Sequence, residues 1–193
     1  MSRWEPNARG RLEQAAAELF ADRGYDHTTV ADIAARAGLT ERTFFRHFAD
    51  KREVLFSGQE QFQDAFVSAV AAAPATATPV AAVEAGLDAA GNLLQSRAEL
   101  APQRQAIIDT HPDLQERELI KMARLGTAVA AALRARGVAE PAATLAAETG
   151  IAVLRIAFAR WLAEGVAQPL PEVMRETLGE LGALYTPAPV SPR

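Results

Sequence analysis

The 193-residue sequence contains no cysteine. Disulfides, zinc sites built from thiolates and cysteine nucleophiles are therefore excluded, and the absence fits a reducing compartment. The N-terminal segment is too polar for a signal peptide. The chain also lacks an uninterrupted run of about 18 apolar residues, which a transmembrane helix would require. We therefore expect a soluble, cytoplasmic protein with no membrane partner.

The sequence also lacks the alternation of β-branched and polar residues that predicts strands, and alanine and leucine recur instead at helical spacing. Glycine and proline separate the helical segments. We expect an all-α fold without internal repeats. Its helices should lie near 7–22, after caps at Thr29 and Thr40, near 51–72 after a cap at Asp50, and near 79–96, 100–110, 113–136, 141–164 and 171–185.

Net charge is −4, which alone argues against a nucleic-acid partner, but the charge is unevenly distributed. Residues 1–56 carry nine Lys/Arg and nine Asp/Glu, whereas the remaining residues carry the whole net negative charge. Within 36–52 there are five basic residues against two acidic ones, a local net of +3. A basic patch on a mildly acidic body favours one DNA-binding face over indiscriminate attachment.

The most informative segment is 28–56, TTVADIAARAGLTERTFFRHFADKREVLF. It predicts two short helices joined by a turn at Gly38, followed by a third helix. In the middle helix Phe44 and Phe48 stand four residues apart and should face inward together. Charged, hydroxyl and aromatic side chains then share the open surface, which is what base edges and phosphates require. The alternative is an ordinary solvated helical face.

Eight residues are therefore candidates for DNA contact. Phe45 lies outside the inward stripe and should be exposed. Lys51 and Arg52 begin a helix, where unpaired backbone N–H groups already attract phosphate. The full set is Thr40, Arg42, Thr43, Phe45, Arg46, His47, Lys51 and Arg52.

The first 56 or so residues resemble the TetR (tetracycline-repressor) family of transcriptional regulators. The block AELFADRGYDHTTVADIAARAGLTERTFFRHFADKREVL carries the family's glycine turn, its aromatic run and its F-x-D-K segment in order. The resemblance implies that Thr29 and Lys51 hold phosphates and that His47 contacts phosphate. It also implies that Thr40, Arg42 and Thr43 face bases or nearby backbone.

The sequence departs from that family pattern at two candidate positions. Members usually carry tyrosine where this chain has Phe45, which cannot donate a hydroxyl to phosphate and could instead lie on deoxyribose or a thymine methyl. Arg52 occupies a position that is more often acidic or neutral, and could replace the lost contact. Glu41 either accepts from a cytosine amino group or only stabilises the helix N-terminus.

The C-terminal region should provide dimerisation and ligand sensing. The helix predicted at 141–164 is apolar over more than half its circumference, which indicates burial on two sides. The resemblance implies that this helix and the last one pair with their symmetry mates in a four-helix bundle, and an ordinary monomer core is the alternative. The candidate interface residues are Leu154, Phe158, Trp161, Met174, Leu178, Leu181 and Tyr185.

A ligand pocket is predicted on weaker grounds, because a broad apolar cavity with one charge suits an amphipathic effector. Arg104 is the sharpest candidate, since its helical neighbours are apolar, although it could also extend to the surface. Plain core is the alternative for the rest. The candidates are Phe62, Phe66, Arg104, Ile108, Met122 and Leu125.

No cofactor, metal or catalytic activity is expected. The segment DTHPDLQE contains Asp109, His111, Asp113 and Glu116, but Pro112 favours a polar turn over a metal site. Motifs of nucleophilic serine hydrolases, zinc proteases and phosphate loops are absent. The sequence thus predicts a ligand-responsive repressor that binds a palindromic operator as a homodimer. Its DNA-binding domain should span 1–56, its helical sensing and dimerisation domain 57–185, and a disordered tail 186–193. A protein-interaction module with an acidic partner, or an enzyme, would be the alternatives.

Overall fold

The computed structural model describes residues 7–184, which form two compact units. Unit 1 contains the described residues up to Gln59 together with Pro102–Gln115, and unit 2 contains Glu60–Ala101 and the described residues from Glu116 onward. Helices are the regular elements of the described chain, which confirms the all-α fold class. Tyr185 and the tail 186–193 lie outside the described residues.

Unit 1 contains five of these helices. They are α1 (Ala8–Arg23), α2 (Val30–Arg36), α3 (Glu41–His47), α4 (Lys51–Leu55) and α7 (Ala101–Thr110), the last of which enters the unit at Pro102. The side chains of Thr29, Thr40 and Asp50 accept hydrogen bonds from backbone N–H groups at the starts of α2, α3 and α4. These caps satisfy donors that a helix end otherwise leaves unpaired, as the sequence predicted.

The prediction of a single helix from Lys51 to about Ala72 is wrong. α4 ends at Leu55 and α5 (Gln59–Ala72) begins four residues later, with Gly58 at φ +85° between them. Glycine tolerates that left-handed conformation and allows the break. The sequence does not reveal this break, because Val54, Leu55 and Phe56 form an apolar run and are all buried in the core of unit 1.

Residues 102–115 join unit 1, although the sequence placed them in the second domain. Ile108 and Leu114 are fully buried beside Leu12, Ile33 and Phe44 in one apolar cluster. The core of unit 1 is therefore completed by a segment that residues 60–101 separate from the rest of the unit in sequence. Local periodicity gave no sign of this long-range packing.

Unit 2 is built on α5, α6 (Pro79–Gln95), α8 (Pro112–Ala135, from Glu116 onward), α9 (Ala142–Ala163) and α10 (Leu170–Ala183). α6, α9 and α10 pack against one another. A Cβ on Gly86 would meet two carbons of the Phe66 ring at 2.5 Å, and one on Gly150 would meet Val83 at the same distance. The helices approach this closely because glycine has no side chain.

Within residues 7–184, one helix, α9, is long and apolar enough by length and composition to cross a membrane. Core helices of soluble proteins meet the same criterion. The buried residues of α9, among them Leu154 and Trp161, belong to the apolar cluster of unit 2.

Candidate nucleic-acid interface

The start of α2 is fixed by a reciprocal pair of side chains. Asp32 Oδ2 accepts from the Thr29 hydroxyl at 2.6 Å and from the Thr29 backbone N–H at 3.0 Å, while the Thr29 oxygen accepts from the Asp32 N–H. The Thr29 hydroxyl bond is the main reason that the pKa of Asp32 is lowered. Thr29 is exposed, so it can reach a phosphate only by exchanging the bond to Asp32.

The turn between α2 and α3 is held by a residue that the sequence did not single out. Gly38 adopts φ +66°, and the Leu39 N–H donates to the Ala34 carbonyl at 2.8 Å. Arg11 of α1 donates to the carbonyl of Ala37, and its guanidinium lies 2.8 Å from where a Gly38 Cβ would stand. Arg11 therefore fixes the turn that aims α3.

α3 presents one buried and one exposed face. Phe44 is fully buried, whereas Glu41, Arg42, Phe45 and Arg46 are exposed, Phe45 by 55% of its surface. The Phe45 ring meets the Phe44 ring edge-on, with centroids 5.6 Å apart, so it is held in place although it faces solvent. The sequence predicted this exposure correctly.

Two hydroxyls lie together at the start of α3. Thr40 caps the helix by accepting from the Thr43 N–H at 3.2 Å, and the two hydroxyl oxygens are 3.0 Å apart. Thr40 is exposed and Thr43 half-buried. Both hydroxyls can rotate, so either can turn to an acceptor on a bound molecule.

His47 ends α3 with its ring half-buried. Its Nε2 is enclosed and has no hydrogen-bond partner among the described residues. Burial lowers the pKa of His47, and the positive charges of Arg46 and Arg9 lower it further. The neutral ring is therefore the favoured form at neutral pH.

Lys51 is placed differently from the phosphate ligand that the family resemblance implied. Its ammonium donates to the carbonyls of Tyr25 and Thr28 at 2.9 and 3.1 Å, and it lies 4.2 Å from the centre of the Tyr25 ring. These contacts tie α4 to the loop between α1 and α2. One of the three ammonium protons remains for another acceptor.

Arg52 is held by carboxylates rather than left open. It donates two hydrogen bonds to Asp50 Oδ2, at 2.8 and 3.0 Å, and lies 3.5 Å from Asp113 Oδ2. The Asp50 bonds are the first reason that the pKa of Arg52 is raised. A phosphate would have to compete with these two carboxylates for the guanidinium.

Two of the six predicted pocket residues belong to unit 1. Arg104 donates from Nε to the Leu55 carbonyl at 2.7 Å and stacks over the Phe56 ring at 5.2 Å, while Ile108 fills the core. Gln103 donates to the Ala17 carbonyl at 3.3 Å. The apolar neighbours of Arg104 within residues 102–115, which suggested a cavity, therefore pack into the core of unit 1 instead.

The other four predicted pocket residues lie in unit 2. Phe62, Phe66 and Leu125 are buried in its core cluster, and Met122 packs against that cluster from a half-buried position. A groove of about 630 Å³ lies instead in unit 1, between α1 and the α2–α3 turn. Its lining includes Arg11, Glu18 and Arg36, a charged set unlike the apolar pocket predicted for a ligand.

The predicted dimer residues are mostly packed within their own unit. Leu154, Trp161 and Met174 are buried, and the Trp161 indole donates to the Gln168 carbonyl at 2.8 Å. Phe158, Leu178 and Leu181 are half-buried against the same core. The large apolar side chains of α9 that are exposed, Leu145 and Ile156, lie on its opposite face.

The proposed polar turn around His111 forms side-chain bonds of its own. Nδ1 of His111 lies 2.6 Å from the Ile107 carbonyl and Nε2 lies 3.2 Å from Asp26 Oδ1, while Asp113 pairs with Arg52. The Ile107 bond is the first cause that raises the pKa of His111. Among the described residues no group of three or more acidic or histidine side chains is arranged to hold a metal ion.

Comparisons with known proteins agree with this geometry. Residues 13–57 match the model of bacterial regulatory proteins of the tetR family. The regulator TcmR of Streptomyces glaucescens is 43% identical over 75 residues, which are 39% of this chain and 33% of TcmR. The matched segment thus spans only about a third of that relative.

Two solved structures share the fold over nearly the whole chain. FadR of Thermus thermophilus, a repressor solved with lauroyl-CoA, has a TM-score of 0.58 at 24% identity and covers 96% of this chain and 100% of its own. SmeT in complex with triclosan has a TM-score of 0.65 at 21% identity and covers 94% and 93%. The predicted resemblance to the TetR family is thus confirmed for residues 13–57, and the fold of the two solved structures extends over nearly the whole chain.

Proposed function

We propose that this protein binds duplex DNA through α3 and represses transcription from an operator. The observation that carries the proposal is the exposed face of α3. Arg42 and Arg46 offer cationic donors, Thr40 offers a hydroxyl, and Phe45 offers an apolar ring, while Phe44 anchors the helix from behind. Arginine forks suit guanine edges and phosphates, and a ring suits a thymine methyl. FadR, which shares the fold, is a repressor.

Selection of bound sequences from random duplexes tests the DNA-binding step. Wild-type protein should enrich one sequence, and Arg42→Ala should relax the preference by about 1–3 kcal/mol at one base pair. Arg124→Ala is the matched control, because Arg124 is an exposed arginine of unit 2. Equal losses on selected and random duplexes would contradict base reading by Arg42. Failure to retain any duplex, with binding to acidic proteins instead, would favour the interaction-module alternative.

The protein should act as a homodimer on an inverted repeat, with α9 providing the seam. Leu145, Ala152, Ile156 and Ala159 are exposed along one face of α9, and Thr149 lies half-buried on the same line. Their spacing alternates between four and three residues, as in helices that pair along a straight seam. Small alanines let two such helices approach closely around the larger Leu145 and Ile156. This face replaces the buried residues that the sequence favoured.

The oligomeric state, measured by sedimentation, distinguishes a dimer interface on the exposed face of α9 from one on the buried residues that the sequence favoured. Ile156→Glu should yield a folded monomer, because Ile156 is 57% exposed and the charge stays in water when the partner leaves. Leu119→Glu, at a residue of α8 that is 61% exposed, should remain dimeric and serves as the control. Trp161→Glu should unfold unit 2, because that ring is 1% exposed. A dimeric Ile156→Glu protein would exclude this face as the seam.

A small, largely apolar molecule should bind unit 2 and weaken operator binding. The support is the fold shared with FadR, which was solved with lauroyl-CoA, and SmeT, which was solved with triclosan. A ligand shifts the equilibrium only if it prefers the conformation that binds DNA poorly. The coupling should change operator affinity about 5–150-fold, and operator DNA should weaken ligand binding by the same factor. Titration with lauroyl-CoA, triclosan and free CoA, with and without operator, tests this. Ligand binding that leaves operator affinity unchanged would contradict it.

A further inference from the structure

Two charged side chains of α9 are left unpaired by their own chain. Glu148 and Arg155 are exposed, and within residues 7–184 neither side chain forms a hydrogen bond or an ion pair. Arg160, on the same helix, is bonded instead to three carboxylates of its own chain. One acidic and one basic group are therefore available on α9 to a partner that carries the complementary charges.

Both available charges lie on the same flank of the exposed α9 seam that is proposed above as the dimer contact. Glu148 and Arg155 are seven residues apart, which is about two helical turns, so their side chains leave the helix in nearly the same direction. Ala152, an exposed residue of the seam, follows Glu148 by four positions and precedes Arg155 by three. The two charges are thus arranged almost symmetrically about Ala152.

A two-fold axis beside Ala152, perpendicular to the helix, makes this arrangement self-complementary. The axis reverses the direction of the second α9 and keeps the charged flanks of both helices on the same side. Glu148 of one protomer and Arg155 of the partner subunit then differ in level by about 1.5 Å along the helix axis. The reciprocal pair forms on the other side of the axis. A parallel pair of helices would instead put the two charged flanks on opposite sides.

The apolar residues of the seam fit the same axis. Leu145 and Ala159 lie seven residues before and seven residues after Ala152, so each Leu145 faces the partner's Ala159. A large side chain opposite a small one fills the space between two helices without forcing them apart. At the axis Ala152 faces its own copy, and its small side chain permits a close approach. Side-chain size and charge therefore favour the same antiparallel register independently.

We propose that two copies of α9 pair antiparallel about an axis at Ala152, with Glu148 of each protomer bound to Arg155 of the partner subunit. The proposal rests on the homodimer proposed above and adds the direction and register of its helices. Each ion pair stays near water and adds little affinity by itself. Its effect is on specificity, because a shifted or parallel arrangement loses both pairs.

Disulfide cross-linking tests the direction of the helices, and the chain suits this method because it contains no cysteine. Ala152→Cys should form a covalent dimer under a mild oxidant, because each introduced thiol faces its own copy. Ala159→Cys alone should not cross-link, because its copy would lie about 21 Å away along the helix, whereas Leu145→Cys/Ala159→Cys should cross-link. Leu119→Cys, at an exposed residue of α8, is the control and should stay uncross-linked.

Exchange of the two charges tests the ion pairs, with the dimer dissociation constant measured by sedimentation. Glu148→Arg and Arg155→Glu, each alone, should raise that constant by about tenfold, because each variant brings like charges together at two places. The double exchange should return it to within about threefold of the wild-type value, because opposite charges face each other again. Arg124→Glu, at an exposed residue of α8, is the matched charge reversal and should leave the constant unchanged. All variants should keep the helical circular dichroism of the wild type.

Three results would overturn the proposal and leave the homodimer intact. Cross-linking of Ala159→Cys alone, as readily as of Ala152→Cys, would indicate parallel helices. A dimeric protein in which Ala152→Cys does not cross-link would place the axis elsewhere. A double exchange as weak as the single variants would exclude the pairs between Glu148 and Arg155. A monomeric wild-type protein, or a dimeric Ile156→Glu variant, would instead remove the proposed seam, and this proposal with it.

Discussion

In unit 1, three long cationic side chains donate to backbone carbonyls next to the short helices α2, α3 and α4. Lys51 bonds to two carbonyls of the α1–α2 loop, Arg104 to the end of α4, and Arg11 to the α2–α3 turn. In unit 2, Arg136 makes similar bonds at the end of α5, to the carbonyls of Ala71, Ala73 and Pro74, but the central helices approach one another through glycine. Gly86 and Gly150 allow the close contacts at Phe66 and Val83.

The difference follows from what each unit has to hold. Under the proposed function, the side chains of α3 reach base edges only if the helix keeps a fixed position, and directional hydrogen bonds fix loops more precisely than apolar contacts do. Apolar packing accepts many residue combinations of similar volume and pattern. This contrast agrees with the family match, which covers residues 13–57 of unit 1 and none of unit 2.

The largest effect on stability is expected when a single methyl group is added to the core of unit 2. Gly86→Ala places a Cβ 2.5 Å from two carbons of the fully buried Phe66 and 2.9 Å from Val70. Overpacking of this kind should lower the free energy of unfolding by about 1–3 kcal/mol. Thermal and denaturant melting measure it.

Gly179→Ala is the matched control for Gly86→Ala. Gly179 also lies inside a helix, α10, but a Cβ there meets nothing within 4 Å. That change should stabilise the protein by roughly 0.5–1 kcal/mol, because alanine has the better helix propensity. If both variants melted alike, the close approach at Gly86 would not exist in solution.

Sequence reasoning succeeded where the determining interactions are local. The caps at Thr29, Thr40 and Asp50 were predicted because each acts within three residues of its own position. The backbone contacts of Lys51 and Arg11 were missed, since each joins residues that are 26 or 23 positions apart. A long cation can bind phosphate or carbonyl equally well, and no local pattern distinguishes the two.

The same limit explains the placement of apolar residues. The pattern of α9 indicated burial on two sides but could not say which side meets its own unit, and the structure encloses Trp161 rather than Ile156. Ile108 lies on an apolar stripe of its helix, and the sequence did not indicate which helices that stripe packs against. Phe45, by contrast, was correctly predicted to be exposed, because the Phe44–Phe48 stripe defines the inner face of α3 by itself.

The second-largest effect on stability is expected when a polar contact of unit 1 is removed. Lys51→Met keeps most of the side-chain volume but leaves the carbonyls of Tyr25 and Thr28 without the ammonium. We expect the free energy of unfolding to fall by about 1–2 kcal/mol, since charged hydrogen bonds are lost but water can reach part of the loop. Melting measures the change, and Arg46→Ala, at an exposed cation, should leave stability nearly unchanged. If Lys51→Met melted like the wild type but bound every duplex more weakly, Lys51 would act as a phosphate contact and not as a structural one.

A third and smaller effect depends on pH. Both ring nitrogens of His111 face acceptors, the Ile107 carbonyl and Asp26, so the protonated ring can donate to both. Asp113 adds negative charge nearby, and the pKa of His111 is raised in the folded protein. A group whose folded pKa lies above its unfolded value of about 6.5 stabilises fully below that value, and the stability is lost as pH rises through the folded pKa.

The comparison of wild type with His111→Gln isolates this contribution. The wild-type advantage in melting temperature should be largest near pH 5.5 and should shrink towards pH 8. Asp26→Asn should reduce the pH dependence while keeping the Ile107 bond. The ring edge of Tyr25, whose own pKa is raised to about 12 mainly by burial, stays uncharged across this window. An advantage that grew with pH would show that the neutral ring is the stabilising form.

The smallest effect on stability is expected at Phe45. The side chain is 55% exposed, so the hydroxyl of Phe45→Tyr should enter water and leave the melting temperature unchanged. On DNA the same hydroxyl can reach a phosphate, and we expect binding to be equal to wild type or up to about tenfold tighter, because a net hydrogen bond to a charged group also loses water. Melting and operator titration of the same preparation measure both quantities. A lower melting temperature with unchanged affinity would show that the ring packs inward in solution, and the contrast between an exposed reading face and a buried anchoring face of α3 would then fail.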